Sequence, residues 1–242
     1  MVEPAFCYPQ DVFETRSLQP ERIDTGDYTP EEYERFLHEI AFINRYLGDR
    51  HALKKTLFRE IERAGAKEFS VLDVGCGSGE LLRTVVDFGI RTGRKTKLVG
   101  LDLNEISANT TRSMSADYPQ ISTVRGDAFA LPFESGSFDY AISSLFFHHL
   151  TDEQITRVLE EMSRVSRKGI VVIDLHRHPM AYVLYKLFCS AFRISPLVRQ
   201  DGALSIKRGF RSDELRTLFP AAETIRAFPF RIVLSKKLAD SY

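Results

Sequence analysis

Neither sign of charge is in excess. The 242 residues carry 33 Lys and Arg against 33 Asp and Glu, a formal net charge of zero. A bulk electrostatic hold on nucleic acid needs a basic face, so no nucleic-acid partner is expected. Cysteine is scarce: Cys7, Cys76 and Cys189 are scattered and odd in number, which implies no disulfide framework. The opening residues, Met1-Val2-Glu3-Pro4, have neither the basic nor the apolar region of a secretory leader. No apolar run approaches the roughly 18 residues of a membrane span. The expected compartment is the cytoplasm. Repeats and low-complexity tracts are also missing. What remains is 43% hydrophobic and 27% charged, ordinary for a globular chain. The length suits one large domain, or a domain with an appended cap.

One stretch organises the rest. Val71-Leu72-Asp73-Val74-Gly75-Cys76-Gly77-Ser78-Gly79-Glu80 reads as a buried strand, an acid, three glycines at alternate positions and a helix start. Leu81, Leu82, Val85 and Val86 then switch to helical spacing. Glycines let the backbone approach a ligand without Cβ clashes. The free N–H groups and positive dipole end of the following helix point at the same place, which suits a small molecule with a negative group.

Residues up to about Asp27 have little periodicity and read as a loose arm. Thr29-Pro30-Glu31-Glu32 starts a helix with a capping box, continued by Tyr33, Phe36, Leu37, Ile40, Ile43, Asn44 and Leu47. A second helix runs from about Asp49 to Ala64. The pair can serve as a lid or simply pack on a sheet. From Glu68 strand and helix alternate. Strands are expected at 70–74, 97–102, 121–125, 138–144 and 170–173, with Gly169 ending the helix that Thr151 caps. A terminal strand pair follows at 224–228 and 231–235. Met180–Phe192 is an apolar helix, Arg199–Arg208 a loop turning at Asp201-Gly202, and Ser212–Leu218 a helix. This pattern predicts an α/β Rossmann-like three-layer sandwich, with a seven-stranded, mostly parallel sheet and an antiparallel last strand. N-terminal helices and a helical insert after strand five form a cap. Residues 1–66 are assigned to arm and cap, and residues 67–242 to the main domain, with the insert at about 177–210.

Four signals fall at successive strand ends, where such sheets bind ligands. They are Asp73 with the glycine turn, Asp102, Gly126-Asp127-Ala128-Phe129, and Phe138-Asp139 leading to Ser143-Ser144. An acid after strand two suits ribose hydroxyls. Asp127 can accept from an exocyclic amine between apolar neighbours.

The set resembles class I S-adenosylmethionine-dependent methyltransferases, over about Glu68 to Asp174. Asp-Val-Gly-Cys-Gly-Ser-Gly is similar to that family's first motif, Leu101-Asp102 to its second, Gly126-Asp127-Ala128 to its third and Phe138-Asp139 to the start of its fourth. Leu131-Pro132-Phe133 and the Phe146-His148-His149 region resemble the ubiquinone and menaquinone biosynthesis branch. Asp174-Leu175-His176-Arg177 before an apolar helix is similar to methyltransferases encoded beside polyketide synthases. The resemblance implies S-adenosylmethionine as cofactor and S-adenosylhomocysteine as product. It implies Gly75, Cys76, Gly77 and Gly79 along the methionine and ribose, and Asp73 near the amino group. Asp102 and Leu103 fall at the ribose, Asp127 and Ala128 at the adenine, and Ser143 by the sulfonium. Methyltransferases acting on nucleobase amines carry an Asn- or Asp-Pro-Pro-aromatic turn where this chain has Ser143-Ser144-Leu145-Phe146, which again argues against nucleic acid.

An apolar small-molecule acceptor of phenol, quinol or polyketide type is therefore expected, methylated at oxygen or carbon. His148 and His149 after strand four, and His176 after strand five, are candidate bases, with His148 preferred. For His148 and His149 the alternative role is packing and capping at a helix start, and for His176 a place in a solvent-exposed turn. No cysteine or carboxylate joins them at ligand spacing, so no metal is expected. Phe146, Tyr182 and Tyr185 are candidate pocket residues. The Met180–Phe192 helix reads as lid, core or peripheral membrane contact, without stable insertion. The chain is expected as monomer or homodimer. Two other readings are a nicotinamide-dependent oxidoreductase and a non-catalytic nucleoside-binding relative. Glycine spacing of G-x-G-x-G rather than G-x-G-x-x-G weighs against the first.

Overall fold

A computed structural model describes residues 11–46 and 48–238; Cys7 and Leu47 lie outside the described residues. Seven strands form one sheet in the order β3-β2-β1-β4-β5-β7-β6. They are β1 (Glu68–Val74), β2 (Lys95–Asp102), β3 (Ile121–Arg125), β4 (Phe138–Ser144), β5 (Ser166–Leu175), β6 (Glu223–Ala227) and β7 (Arg231–Lys237). The first five are parallel, and β7 runs antiparallel to both β5 and β6. Strand order reverses direction between β1 and β4, so the crevice of a doubly wound sheet opens at their carboxyl ends.

The strands alternate their side chains between two cores. Leu72, Val74 and Leu101 face α7 (Asp152–Val165), whose Ile155, Val158, Leu159, Met162 and Val165 form one apolar stripe. Val71, Leu98, Tyr140 and Ile142 face the other way, onto α5 (Glu80–Arg91) and the helical stretch α3 (Asp49–Leu53) and α4 (Arg59–Arg63), joined by a π-helical turn at Lys54–Phe58. Here Phe58 and Phe88 stack with centroids 4.0 Å apart.

A third core lies above the strand tips. It joins Tyr33, Phe36, Leu37 and Ile43 of α2 (Pro30–Tyr46) to Tyr185 and Cys189 of α8 (Pro179–Ala191) and to Leu197, Val198 and Ile206 of α9 (Pro196–Arg208). The two N-terminal helical segments thus separate: α2 joins this upper core, and the stretch 49–63 packs on the sheet. Met180, Val183, Leu184 and Leu187 leave one face of α8 exposed. Among the described residues no helix is long and apolar enough to cross a membrane.

Three expectations are corrected. Residues 199–208 are helical, because Asp201-Gly202 is not a turn: the Asp201 carboxylate accepts from the backbone N–H groups of Arg22 and Ile23, at 3.0 and 3.1 Å. A Cβ on Gly202 would meet the Tyr185 hydroxyl at 2.0 Å, so the glycine makes room for that ring. Gly169 does not end a helix; α7 passes directly into β5 at Ser166, and Gly169 lies in the strand against the Lys236 carbonyl. The arm is not loose over its described part. Its short helix α1 (Arg22–Thr25) is fixed by Asp201, Ser17 N–H donates to the Lys207 carbonyl, and Arg16 donates to the Arg208 carbonyl and to Asp152.

Candidate active site at the strand tips

The glycine turn is built by positive φ at Gly75 (74°), Gly77 (54°) and Gly79 (72°), backbone that side chains rarely adopt. Space excludes side chains too. A Cβ on Gly75 would press on Phe146 at 3.0 Å, and one on Gly79 would strike Thr111 Cγ2 at 2.7 Å. The turn is tied to β2. Gly75 and Cys76 N–H both donate to the Leu101 carbonyl, and Gly77 N–H donates to Asp102 Oδ2 at 2.9 Å. Asp102 Oδ1 accepts from Asn104 N–H, also at 2.9 Å. The Ser107 hydroxyl is a third partner, and the carboxylate still keeps lone-pair capacity for a ligand hydroxyl. Asn104 caps α6 (Glu105–Met114) and donates to the Tyr28 hydroxyl, which stacks on Tyr33.

Asp73 is the penultimate residue of β1, two positions before Gly75. Burial, reinforced by the charge of Asp102, pushes its carboxyl up to about 8. Asp102 is also raised by burial, against the pull of the Asn104 and Gly77 N–H groups. The cleft therefore holds two carboxyls short of positive charge, which complements a cationic ligand. Asp127 follows β3, next to β2, and Gly126 N–H donates to the Asp102 carbonyl at 3.0 Å. Asp102 and Asp127 thus sit on neighbouring strand tips. Asp127 is exposed and accepts from Phe129 N–H, Ala128 is buried, and Leu103 is exposed. Ser143 is fully buried, its hydroxyl donating to the Val74 carbonyl at 2.7 Å. Beyond it, Leu145 takes a left-handed conformation (φ 53°) that turns Phe146 over Gly75. Such a residue costs on the order of 1–3 kcal/mol and persists only where its surroundings enforce it.

The histidines separate into two groups. His148 is buried, its Nδ1 2.7 Å from Asp174 Oδ1, and its backbone N–H donates to the other oxygen of the same carboxylate. His149 Nδ1 lies 2.7 Å from Asp24 Oδ1. Glu21, also buried, brings Oε1 to 3.7 Å from His148 Nε2 and 4.0 Å from His149 Nδ1. Arg208 of α9 completes the cluster, pairing with Asp24 and lying 3.7 Å from Glu21. Burial pushes Glu21 up to about 7. It acts against charge on Asp174 as well, but His148 outweighs it and holds that carboxyl below its usual range. His176 stands elsewhere: burial and Arg226 lower it to about 4, and its backbone N–H donates to the Phe230 carbonyl. Tyr185 fills the seam between α8 and α9, its hydroxyl donating to the Val198 carbonyl at 2.6 Å. Tyr182 meets Phe13 edge-on, with Lys186 and Lys207 near its ring.

Reading the sequence did not single out Glu21, Asp24, Asp174 or Arg208. Asp174 had a signal, being a strand-end acid like Asp73 and Asp102. Glu21 had none, since its histidine partners lie more than a hundred residues away in the chain.

Residues 71–169 match the family model of a methyltransferase domain. A demethylmenaquinone methyltransferase of Shouchella clausii is 29% identical over 161 residues, 65% of this chain and 66% of that protein. One from Bacillus pumilus is 35% identical over 46% of this chain and 45% of its own length. This chain thus spans about two thirds or less of these relatives. Among solved structures, a SAM dependent methyltransferase from Aquifex aeolicus superposes with a TM-score of 0.61 at 16% identity, covering 88% of this chain and 100% of that one. Magnesium protoporphyrin IX methyltransferase from Synechocystis, with bound SAH, gives 0.54 at 14% identity, covering 78% and 83%. At such identities the likeness concerns the fold. The matched stretch carries both the glycine turn and the strand-tip acids, and together these findings support a class I S-adenosylmethionine-dependent methyltransferase resembling the menaquinone branch.

Proposed function

We propose that this protein methylates an apolar small molecule of phenol, quinol or polyketide type, at oxygen or carbon. The observation that carries the reading is the glycine turn held on Asp102, with a buried acid, Asp73, behind it. Bound S-adenosylmethionine supplies a methyl group on a sulfonium. Around it, Gly75, Cys76, Gly77 and Gly79 give close backbone approach, and Asp73 faces the amino group. Asp102 and Leu103 lie along the ribose, Asp127 and Ala128 along the adenine, and Ser143 near the sulfur. Phe146 walls the methyl-bearing end. The chain's work is alignment and exclusion of water, with residues 1–66 and the insert at about 177–210 serving as arm and cap.

Methyl transfer forms the acceptor–carbon bond, breaks the sulfur–carbon bond and leaves the acceptor one proton to lose. His148, held by Asp174, and His149 are the groups at that end of the cleft suited to taking it. His176, neutral through burial, is the weaker candidate. The demethylmenaquinone relatives favour a quinol-like acceptor. The apolar upper core favours a greasy one, with Tyr182 and Tyr185 supporting its wall.

Titration with S-adenosylmethionine tests the reading. Saturable binding is expected for the wild type and its loss for Asp102→Ala, with NADH failing to compete. A labelled methyl group should then pass to a member of a phenol, quinol and polyketide panel. Absence of cofactor binding, or preferential binding of NADH, overturns the proposal.

A further inference from the structure

Glu21, His148 and His149 each aim one donor atom at a common point, and these atoms all lie within 4.8 Å of one another. We propose that they hold a divalent transition-metal ion, which clamps the N-terminal arm to the tip of β4. Four observations support this. First, Glu21 Oε1 is buried and accepts no hydrogen bond, although Glu21 Oε2 takes the Ser205 hydroxyl at 2.9 Å. Arg208 Nε stands 3.7 Å from this oxygen, beyond hydrogen-bond reach, so the buried oxygen still lacks the direct partner that a bound cation supplies.

Second, His148 is presented as metal-binding imidazoles are. Asp174 takes Nδ1–H at 2.7 Å, which fixes the tautomer and leaves the Nε2 lone pair facing Glu21. Third, the separations of 3.7 and 4.0 Å from Glu21 Oε1 to the two imidazole nitrogens need to contract by only a few tenths of an ångström. Ligand bonds of about 2.0–2.2 Å then meet at one ion. His149 Nδ1 now shares a proton with Asp24 Oδ1 at 2.7 Å; the ion displaces that proton to solvent, and Asp24 then stands next in line as a fourth donor. Fourth, the charge suits a cation. Glu21, Asp24, Asp174 and Asp201 outnumber the nearby guanidinium groups of Arg16, Arg22 and Arg208.

Two imidazoles and a carboxylate select Zn²⁺, Mn²⁺ or Fe²⁺ over Mg²⁺, which prefers oxygen ligands. The site goes beyond the methyl-transfer reading, because its donors are not those assigned to the cofactor. Its position beside the acceptor end rests on that reading. A metal there takes over proton removal from His148 by acidifying a coordinated acceptor hydroxyl, whose proton passes to solvent.

The test is calorimetric titration of the metal-stripped 242-residue chain with Zn²⁺ and Mn²⁺, with Co²⁺ absorption as a spectroscopic probe of the ligand field. One equivalent per chain is expected. Glu21→Gln, nearly isosteric, and His149→Ala should each weaken binding at least about tenfold. Asp174→Asn should do so by about 10–100-fold, as for partners that orient a ligand. Circular dichroism melts confirm that the variants are folded. Asp102→Ala should lose the cofactor and keep the metal, so the two proposals fail separately. Substoichiometric binding by the wild type, or unchanged binding by Glu21→Gln and His149→Ala together, overturns the site.

Discussion

Asp73 gives the sharpest test of the cofactor site. Its carboxyl lies at about 8, raised by burial and by Asp102. A ligand carrying an ammonium and a sulfonium lowers it again, so the group sheds its proton as the ligand binds. Affinity is then full above about pH 8 and is lost as the pH falls through that value. Below it each pH unit weakens binding up to about tenfold, or about 1.4 kcal/mol. Between pH 9 and pH 7 the expected loss is about tenfold. The cofactor's own amino group titrates nearby and acts in the opposite direction. The quantity to read is therefore the difference between wild type and Asp73→Asn. Calorimetry in two buffers of unlike ionisation enthalpy counts the proton directly, about 0.9 released at pH 7 from the wild type and almost none from that position in Asp73→Asn. Identical pH profiles and proton counts for the two proteins refute the argument.

Two further outcomes follow from single contacts. Gly79→Ala places a Cβ 2.7 Å from Thr111 Cγ2 at φ +72°, so cofactor affinity should fall at least tenfold, roughly, in equilibrium dialysis, with about 1–2 kcal/mol of stability lost to the left-handed backbone. Asp49→Ala leaves Arg231 charged and unpaired in the interior, and about 3–5 kcal/mol should disappear from chemical denaturation curves; a loss below about 1 kcal/mol would count against that pair as a stabilising contact.

The sheet was legible because its signals are local. Val71, Leu72 and Val74 before a glycine turn, and capping residues such as Asn104 and Thr151, act within a few positions of themselves. The strand-tip acids could be placed for the same reason, once the alternation of strand and helix was seen. What escaped depends on distant partners. Asp201-Gly202 has the composition of a turn, yet the acid caps another helix and the glycine accommodates Tyr185. Gly169 resembles a helix stop, yet serves close packing against β7. Nothing near Glu21 announces two imidazoles, because only the folded arm brings them together.

That arm has a consequence for how the protein comes into being. Its residues are made before the hydrogen-bond partners they meet on α9, which follow 178 to 192 residues later. Until then Glu21 and Asp24 remain in water, and the histidine end of the cleft stays uncovered. Contacts so distant in sequence form late, because their loop entropy must be paid before they return anything. The nascent chain can thus shape its glycine turn well before it can seal the opposite end, and maturation of the cleft waits on synthesis of α9.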